Sequence, residues 1–326
     1  MRMAARVVVA CGGRSLEREV SLRSGGRAAD ALATLGYDVT VLDPDARFVR
    51  RIRELRPDFV FVAMHGRGGE DGTLQDLLEI LGVAYTGSDV HASSRCLDKH
   101  SFKQLMQAQG LATPEWHSFN REAFSEFGAA ESLDQLAEQL GLPFVLKPAR
   151  QGSSLGIKFV EAPEQFGPAI VGALNYDDRV VIERYVAGRE LAVTVLGPAE
   201  DPDVLPIIEI ETDEPFYTFR AHYDPGAATM REAELADGVR ERVKEVAAQA
   251  YGAAGCRDLG RVDLILDHGN VPQILEINTI PGLTETGPAR YAAQAAGMDF
   301  NELIKRVITR VTPDPPLTRG RGQAES

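Results

Sequence analysis

Two short segments near the C-terminal end carry charges at spacings that matter. Arg261-Val262-Asp263-Leu264-Ile265 and Leu275-Glu276-Ile277-Asn278 both alternate polar and apolar residues, the pattern of a strand with one buried face. His268-Gly269-Asn270-Val271 lies between them, and Gly-Asn is a signal for a two-residue hairpin turn. A turn at Gly269-Asn270 sets Asp263 opposite Glu276 and Arg261 opposite Asn278, all four on one face. Val262, Leu264, Leu275 and Ile277 then form the other. Carboxylates directly opposite each other repel, and a cation between them removes the repulsion. Oxygen donors from Asp263, Glu276 and Asn278 suit magnesium, with manganese as a substitute, and phosphates of a bound nucleotide would complete the shell. The plainer arrangement is a solvated polar face on which Arg261 neutralises Asp263. The well-defined apolar face, and the Pro281-Gly282 turn just beyond the second strand, favour the metal. A one-residue slip in register would undo the arrangement.

Lys147-Pro148-Ala149-Arg150-Gln151-Gly152-Ser153-Ser154-Leu155-Gly156 reads as a strand end entering a loop rich in glycine and serine. Backbone N–H groups of such a loop can cradle phosphate oxygens, with Lys147 adding fixed charge. The GxxxxGK[ST] pattern is absent, and a flexible hairpin loop explains the stretch equally well. Lys99 sits where one unit gives way to the next, a place for a cleft, although alone it reads as a surface charge. Glu183 follows the apolar Val180-Val181-Ile182 and could accept from an adenine amino group or a ribose hydroxyl; taken alone it is a strand-end charge. Glu190 flanks the same Tyr185-Val186-Ala187-Gly188 stretch.

The elements that must position these groups fall into three units. Over 1–98, strands at 7–10, 39–42 and 59–62 alternate with helices at 20–35, 46–55 and 73–81. This spacing predicts a parallel sheet covered by helices. Glycine-rich loops at Gly12-Gly13 and 65–72 follow strands, where ligands gather. A small α+β unit covers 99–182, with helices at 99–109 and 133–140 and strands at 144–146 and 157–160. The strand-like 180–182 segment reads as joining 191–196 and 205–210 in a third unit. That unit, 183–313, is α+β with an antiparallel sheet and a helix at 232–254. An irregular stretch at 211–230 is long enough to be a functional loop, and Tyr217, Phe219 and Tyr223 would supply the contacts that close it as a lid. The tail, 314–326, is rich in Pro, Gly and Arg and is expected to be disordered.

The formal net charge of -13 argues against broad binding to nucleic acid or an anionic membrane. It leaves room for a local cationic cluster holding an anionic small molecule. No apolar run can span a bilayer. The three cysteines, Cys11, Cys96 and Cys256, are too sparse for a zinc pattern or a disulfide framework, so a reducing cytoplasm is expected.

Taken in order, several stretches resemble the D-alanine–D-alanine ligase family of the ATP-grasp superfamily. They are Gly12-Gly13-Arg14-Ser15-Leu16-Glu17-Arg18-Glu19-Val20-Ser21-Leu22, His65-Gly66-Arg67-Gly68-Gly69-Glu70-Asp71-Gly72, Leu97-Asp98-Lys99, the 147–156 loop, and Glu276-Ile277-Asn278-Thr279-Ile280-Pro281-Gly282. The similarity spans roughly 6–310. It implies a three-domain ATP-grasp fold with ATP between the central and C-terminal units, two magnesium ions, and two amino acids joined through an acyl phosphate, in cell-wall precursor synthesis or a specialised conjugation. A homodimer is implied by the same analogy. Carried over by position, Lys99, Lys147, Ser154, Glu183, Glu190 and His222 match ATP-binding positions, and Asp263, Glu276 and Asn278 match metal ligands. Arg261 matches the arginine that stabilises charge during transfer, and the Gly282 backbone an oxyanion donor. Glu17, Ser153 and Tyr223 match a hydrogen-bonded trio that positions the first amino acid. His65, Glu70, Gly287 and Pro288 match the region of the second.

Two departures stand out. His222 occupies the position of a lysine, so its charge depends on pH. Gly287 and Pro288 occupy the positions of a serine and a leucine whose hydroxyl and N–H bind the second substrate's carboxylate; glycine has no hydroxyl and proline no N–H, so both expected donors are missing, and Thr284, Thr286 or Arg290 could compensate. The resemblance therefore allows a D-alanine–D-alanine ligase-like enzyme, a ligase with another acceptor amine, or a nucleotide-binding relative without turnover.

Overall fold

The computed structural model describes residues 4–127, 133–213 and 227–311. Its first unit runs β1 (Arg6–Ala10), α1 (Arg18–Thr34), β2 (Asp38–Leu42), α2 (Phe48–Leu55), β3 (Phe59–Val62), α3 (Thr73–Ile80), β4 (Ala84–Tyr85) and α4 (Val90–Leu97). The strands form the expected parallel sheet, in order β2-β1-β3-β4. β1 and β3 read as unbroken apolar runs because both faces are covered. Val8, Val60 and Val62 pack with Phe48, Ile52, Leu74 and Leu78 on one side, while Val7, Val9, Phe59 and Phe61 pack with Ala28, Ala31 and Leu32 on the other. β4 and α4 were not foreseen; one has two residues, and the other, VHASSRCL, has few apolar positions.

The second unit comprises α5 (Lys99–Ala108), β5 (Trp116–Asn120), α6 (Arg121–Ser125), α7 (Leu133–Leu140), β6 (Phe144–Pro148), β7 (Lys158–Val160), α8 (Phe166–Leu174) and β8 (Arg179–Arg184). Its antiparallel sheet has the order β5-β8-β6-β7. The 180–182 segment therefore belongs to this sheet and not to the third unit, and β8 continues through Glu183 to Arg184. The reason is packing: Val180 and Ile182 complete a core with Phe144, Leu146, Phe166 and Ile170. Val145, Lys147, Val181 and Glu183 consequently share the opposite face.

The third unit contains β9 (Gly188–Gly197), β10 (Asp203–Val204), β11 (Ile208–Thr212), β12 (Ala228–Glu232), α9 (Asp237–Ala254), β13 (Asp258–Asp267), β14 (Pro272–Asn278), α10 (Pro288–Ala295) and α11 (Phe300–Val307). Among the described residues its antiparallel sheet runs β12-β11-β9-β13-β14, with β10 also on β9. The stretch expected to be irregular is strand at both ends, because Thr212 pairs with Ala228 and Ile208 with Glu232. That pairing also delays the helix expected from 232 until Asp237. Tyr217, Phe219, His222 and Tyr223 lie outside the described residues, as does the 314–326 tail.

The β13–β14 hairpin has the expected pairs, Arg261 with Asn278 and Asp263 with Glu276. The route to that register differs. Asn270 N–H donates to Asp267 O (2.9 Å) and Asp267 N–H to Val271 O (3.2 Å). With Asn270 at φ 58°, the loop is His268-Gly269-Asn270, three residues with a left-handed last position. Leu264 then pairs with Ile274, and a bulge between there and Asp263 restores the predicted alignment. Leu275 is the extra residue. Ile274 joins Val262, Leu264 and Ile277 in the core, and Leu275 is removed from the apolar face on which it was expected. Among the described residues no helix is long and apolar enough to cross a membrane.

Candidate active site

A large cleft opens between the sheets of the second and third units. Val145, Lys147 and Glu183 line one wall; Glu190, Asp263, Ile265, Leu275 and Glu276 line the other. Lys99 reaches in from the first residue of α5, and Ser154 from the loop after β6. All the expected nucleotide-binding residues within the described segments therefore meet in one place; His222 lies outside them. Inside the cleft, cations and carboxylates are matched. Lys147 Nζ is 2.7 Å from Glu183 Oε2, and Lys99 Nζ is 2.8 Å from Glu276 Oε2 and 2.7 Å from Gln151 O. Arg261 grips Asp263 with two bonds, Nε to Oδ1 at 2.7 Å and Nη2 to Oδ2 at 2.8 Å.

A smaller cavity adjoins at the edge of the first unit. Glu17, Val20, His65, Ser153, Arg261, Asn278, Gly282, Thr284, Gly287 and Pro288 surround it. Residues from five separate stretches of the sequence are thus brought together. Ser153 donates to Glu17 Oε1, and the Glu17 carboxylate lies in a slot between Gly66 and Gly152. A Cβ on Gly66 would collide with Glu17 Oε2, and one on Gly152 would come within 3.0 Å of it. Tyr223, the third member of the expected trio, is outside the described residues. His65 has both ring nitrogens engaged, Nδ1 with Ile280 O (2.8 Å) and Nε2 with Ser24 Oγ (2.9 Å). Since a carbonyl only accepts, Nδ1 carries the proton. Ser24 Oγ in turn accepts from Leu283 N–H (3.1 Å), so His65 ties α1 to the loop that holds Gly282. Glu70 stands behind the cavity wall, its Oε2 accepting from Gly66 N–H at 3.1 Å.

Comparisons with known proteins give the chain's relatives. Residues 105–309 match the family described as D-ala D-ala ligase C-terminus, and residues 50–88 match D-ala D-ala ligase N-terminus. A D-alanine–D-alanine ligase of Moorella thermoacetica is 40% identical over 93% of this chain and 98% of its own length. One from Desulforudis audaxviator is 43% identical over 94% and 98%. The crystal structure of the D-alanine–D-alanine ligase of Bacillus anthracis superposes with a TM-score of 0.82 at 31% identity, covering 94% of this chain and 97% of that one. The chain belongs to the D-alanine–D-alanine ligase family. A D-Ala:D-Ser ligase of Enterococcus faecalis, VanG, has the same fold, with a TM-score of 0.81 at 25% identity over 95% of this chain and all of that one.

Within this ligase-family site the charges perturb one another. Burial pushes Glu276 up, but Lys99 and Lys147 outweigh it and hold the carboxyl down at about 2. Glu183 behaves likewise: burial raises it, and Lys103 and Lys147 bring it below the ordinary value. Lys147 is driven down by burial and up, on balance, by Glu183 and Glu276. Asp263 differs, because burial prevails over the Arg261 charge and raises it. Glu17 is raised by burial and then by the Glu70 carboxylate, against the hydrogen bond from Ser153.

Lys103 was missed. It is fully buried, one helical turn beyond Lys99, with Nζ 2.6 Å from Thr113 Oγ1 and 3.4 Å from Glu183 Oε1. Burial first, and then Lys147, pull it down to about 8 despite Glu183. The i, i+4 spacing of Lys99 and Lys103 places both on one helix face, a signal the sequence did contain. Val20 was the other residue of the small cavity without an expected role.

Proposed function

We propose that this chain is an ATP-dependent ligase joining two amino acids, the carboxylate of the first being activated as an acyl phosphate. One observation carries the reading beyond family membership. Asp263 lines the large cleft, while Arg261, two residues back on the same face of β13, lines the small cavity. A nucleotide in the first would present its γ-phosphate to an amino acid in the second.

Asp263, Glu276 and Asn278 fit magnesium or manganese, as two ions, by the chemistry of their donors. Two facing carboxylates, one of them firmly ionised, and an amide form an all-oxygen set. Among the described residues no group of three His, Cys, Asp or Glu side chains is placed to hold a metal ion by itself, so phosphate oxygens would complete the shell. When bound, the metal would shield phosphate charge from the attacking carboxylate.

The remaining work falls to the protein's own groups. Glu17, steadied by Ser153, orients the ammonium of the first amino acid, and Lys99 and Lys147 neutralise nucleotide phosphates. The substrate carboxylate oxygen bonds to the γ-phosphorus as the bond to the β,γ-bridging oxygen breaks and ADP leaves. The second amino acid's amine then adds to the acyl carbon. The Gly282 N–H and Arg261 face the oxyanion, and phosphate departs while the amine releases a proton to solvent. ATP as substrate and three unpaired cysteines support a cytoplasmic enzyme, and the family resemblance supports a homodimer, which light scattering would test.

The experiment is phosphate release from ATP and magnesium with pairs of D- and L-amino acids, the first substrate carrying oxygen-18 in its carboxylate. Amino-acid-dependent release with label in the phosphate is expected. Release without amino acid, or unlabelled phosphate, would sink the acyl-phosphate route.

A further inference from the structure

Lys103 is fully buried, yet it is not among the residues that line the nucleotide cleft. It stands behind one wall. Its Nζ is 2.6 Å from Thr113 Oγ1 and 3.5 Å from Pro114 O, and Pro114 is itself a cleft residue. Its third neighbour is Glu183 Oε1, at 3.4 Å. Thr113 donates its own proton to Ile274 O at 2.8 Å, so its oxygen accepts from the ammonium. Ile274 N–H donates to Ala112 O, also at 2.8 Å. Through Thr113, Lys103 is therefore anchored to β14 in the facing wall.

The two oxygens of Glu183 differ. Oε2 is held by Lys147 Nζ at 2.7 Å. Oε1 is buried and makes no hydrogen bond among the described residues. Lys103 balances its charge without satisfying its lone pairs, and a buried acceptor left in that state is unfavourable. A donor from outside the protein is the natural complement. Val145, which pairs with Glu183 across β6 and β8, lines the cleft with Pro114, Ile157, Ile265 and Leu275. Apolar walls around one open acceptor suit a flat aromatic ring that carries an amino group. Burial raises the Glu183 carboxyl, and Lys103 leads the cations that reverse the shift, which keeps the group an acceptor only.

We propose that Lys103 is a positioning residue for the nucleobase, fixing Glu183 Oε1 from behind the cleft wall as the acceptor for the exocyclic amino group of adenine. This rests on the reading of the cleft as a nucleotide site. Lys103 does not touch the base and acts through Glu183. Without it, Glu183 keeps a cation on one oxygen only, and the other is free to take up a proton or to turn toward Lys147.

The test compares ADP with purine riboside diphosphate, which lacks only the amino group, by calorimetric Kd in the presence of magnesium. Wild type is expected to bind ADP tighter by about tenfold to a hundredfold, the value of a hydrogen bond to a charged group. Lys103→Met, measured below its unfolding transition, should weaken ADP, leave the analogue within about twofold, and so narrow the ratio. A merely structural role would weaken both nucleotides alike. Equal weakening, an unchanged ratio, or a wild type that binds the two equally overturns the inference and leaves the ligase reading standing. Glu183→Gln should also narrow the ratio, and adding Lys103→Met should narrow it no further; a further fall overturns the route through Glu183. Should Lys103→Met not fold, Thr113→Val takes its place, since it removes the closest partner of the ammonium. A narrowed ratio then supports the inference and an unchanged one overturns it. Wild type that binds neither nucleotide overturns the nucleotide site and the inference together.

Discussion

Lys99 and Glu276 come from separate units, α5 and β14, and meet at 2.8 Å across the cleft. With Lys147, Lys99 holds Glu276 ionised against the cost of burying it. Lys99→Met should raise the KM for ATP by about tenfold or more, the value of a lost charge-assisted bond. It should also bring the Glu276 carboxyl up toward 4.5. The folded-state value lies below the unfolded one, so this pair's contribution to stability is complete above about 4.5 and is lost as pH falls through about 2. The gap in urea midpoint between wild type and Lys99→Met should therefore narrow over that acidic range. A constant gap would mean that Lys99 does not set the Glu276 titration.

Hydrophobic patterning made much of this fold legible. Unbroken apolar runs mark the parallel strands over 7–10 and 59–62, helical periodicity marks the 133–140 helix, and alternation of apolar and polar residues gives the pairing of Asp263 with Glu276. Legibility failed where local pattern was weak or ambiguous. The two-residue β4 leaves no periodic trace, and the 180–182 run fits either neighbouring sheet until its packing against Phe144 and Leu146 is known. The β13–β14 register was right although two assumptions behind it were not, since the longer loop and the bulge at Leu275 offset each other. In the site, facing carboxylates announced themselves through register. Lys103 did not, because a lysine in an amphipathic helix reads as exposed, and only the tertiary structure supplies the buried Glu183 and the half-buried Thr113 that hold it.

Lys103→Met should lower stability at pH 7 by about 1–3 kcal/mol, since Thr113 and Glu183 lose a buried donor. The pH dependence gives a sharper test. Lys103 titrates near 8 when folded and near 10.5 when unfolded, so between those values the unfolded chain binds more protons and wild-type stability gains a rising contribution with pH. The variant should lack that rise. Urea unfolding at pH 7, 8.5 and 10 measures both effects. Parallel profiles for the two proteins would remove Lys103 from the titration.

Gly66→Ala tests the slot that holds Glu17. Gly66 has φ 69°, so alanine costs about 1 kcal/mol in backbone strain. The larger effect is local, because the new Cβ would collide with Glu17 Oε2. A displaced carboxylate breaks the Ser153 bond and misplaces the first amino acid. First-substrate KM should rise well beyond twofold while the thermal midpoint falls only a few degrees. A normal KM would show that Glu17 is not the group that orients this substrate.

The bulge divides two adjacent residues between stability and binding. Ile274 is fully buried with Val262, Leu264 and Ile277, so Ile274→Ala should cost about 2–5 kcal/mol of unfolding free energy. Leu275, the residue inserted by the bulge, borders the nucleotide cleft alongside Ile265 and Val145. Leu275→Ala removes little from the core and should leave the urea midpoint close to wild type. It should instead weaken ATP, since the cleft loses apolar surface worth about 25 cal/mol per Å². Without the bulge, side-chain alternation would put Leu275 in the core and Ile274 on the other face, and the two phenotypes would exchange. Urea midpoints and ATP KM for the two variants side by side therefore decide between the registers. If Leu275→Ala proves the more destabilising of the pair, the bulge is misplaced and the hairpin closes through a two-residue turn instead, which keeps Asp263 opposite Glu276 without it.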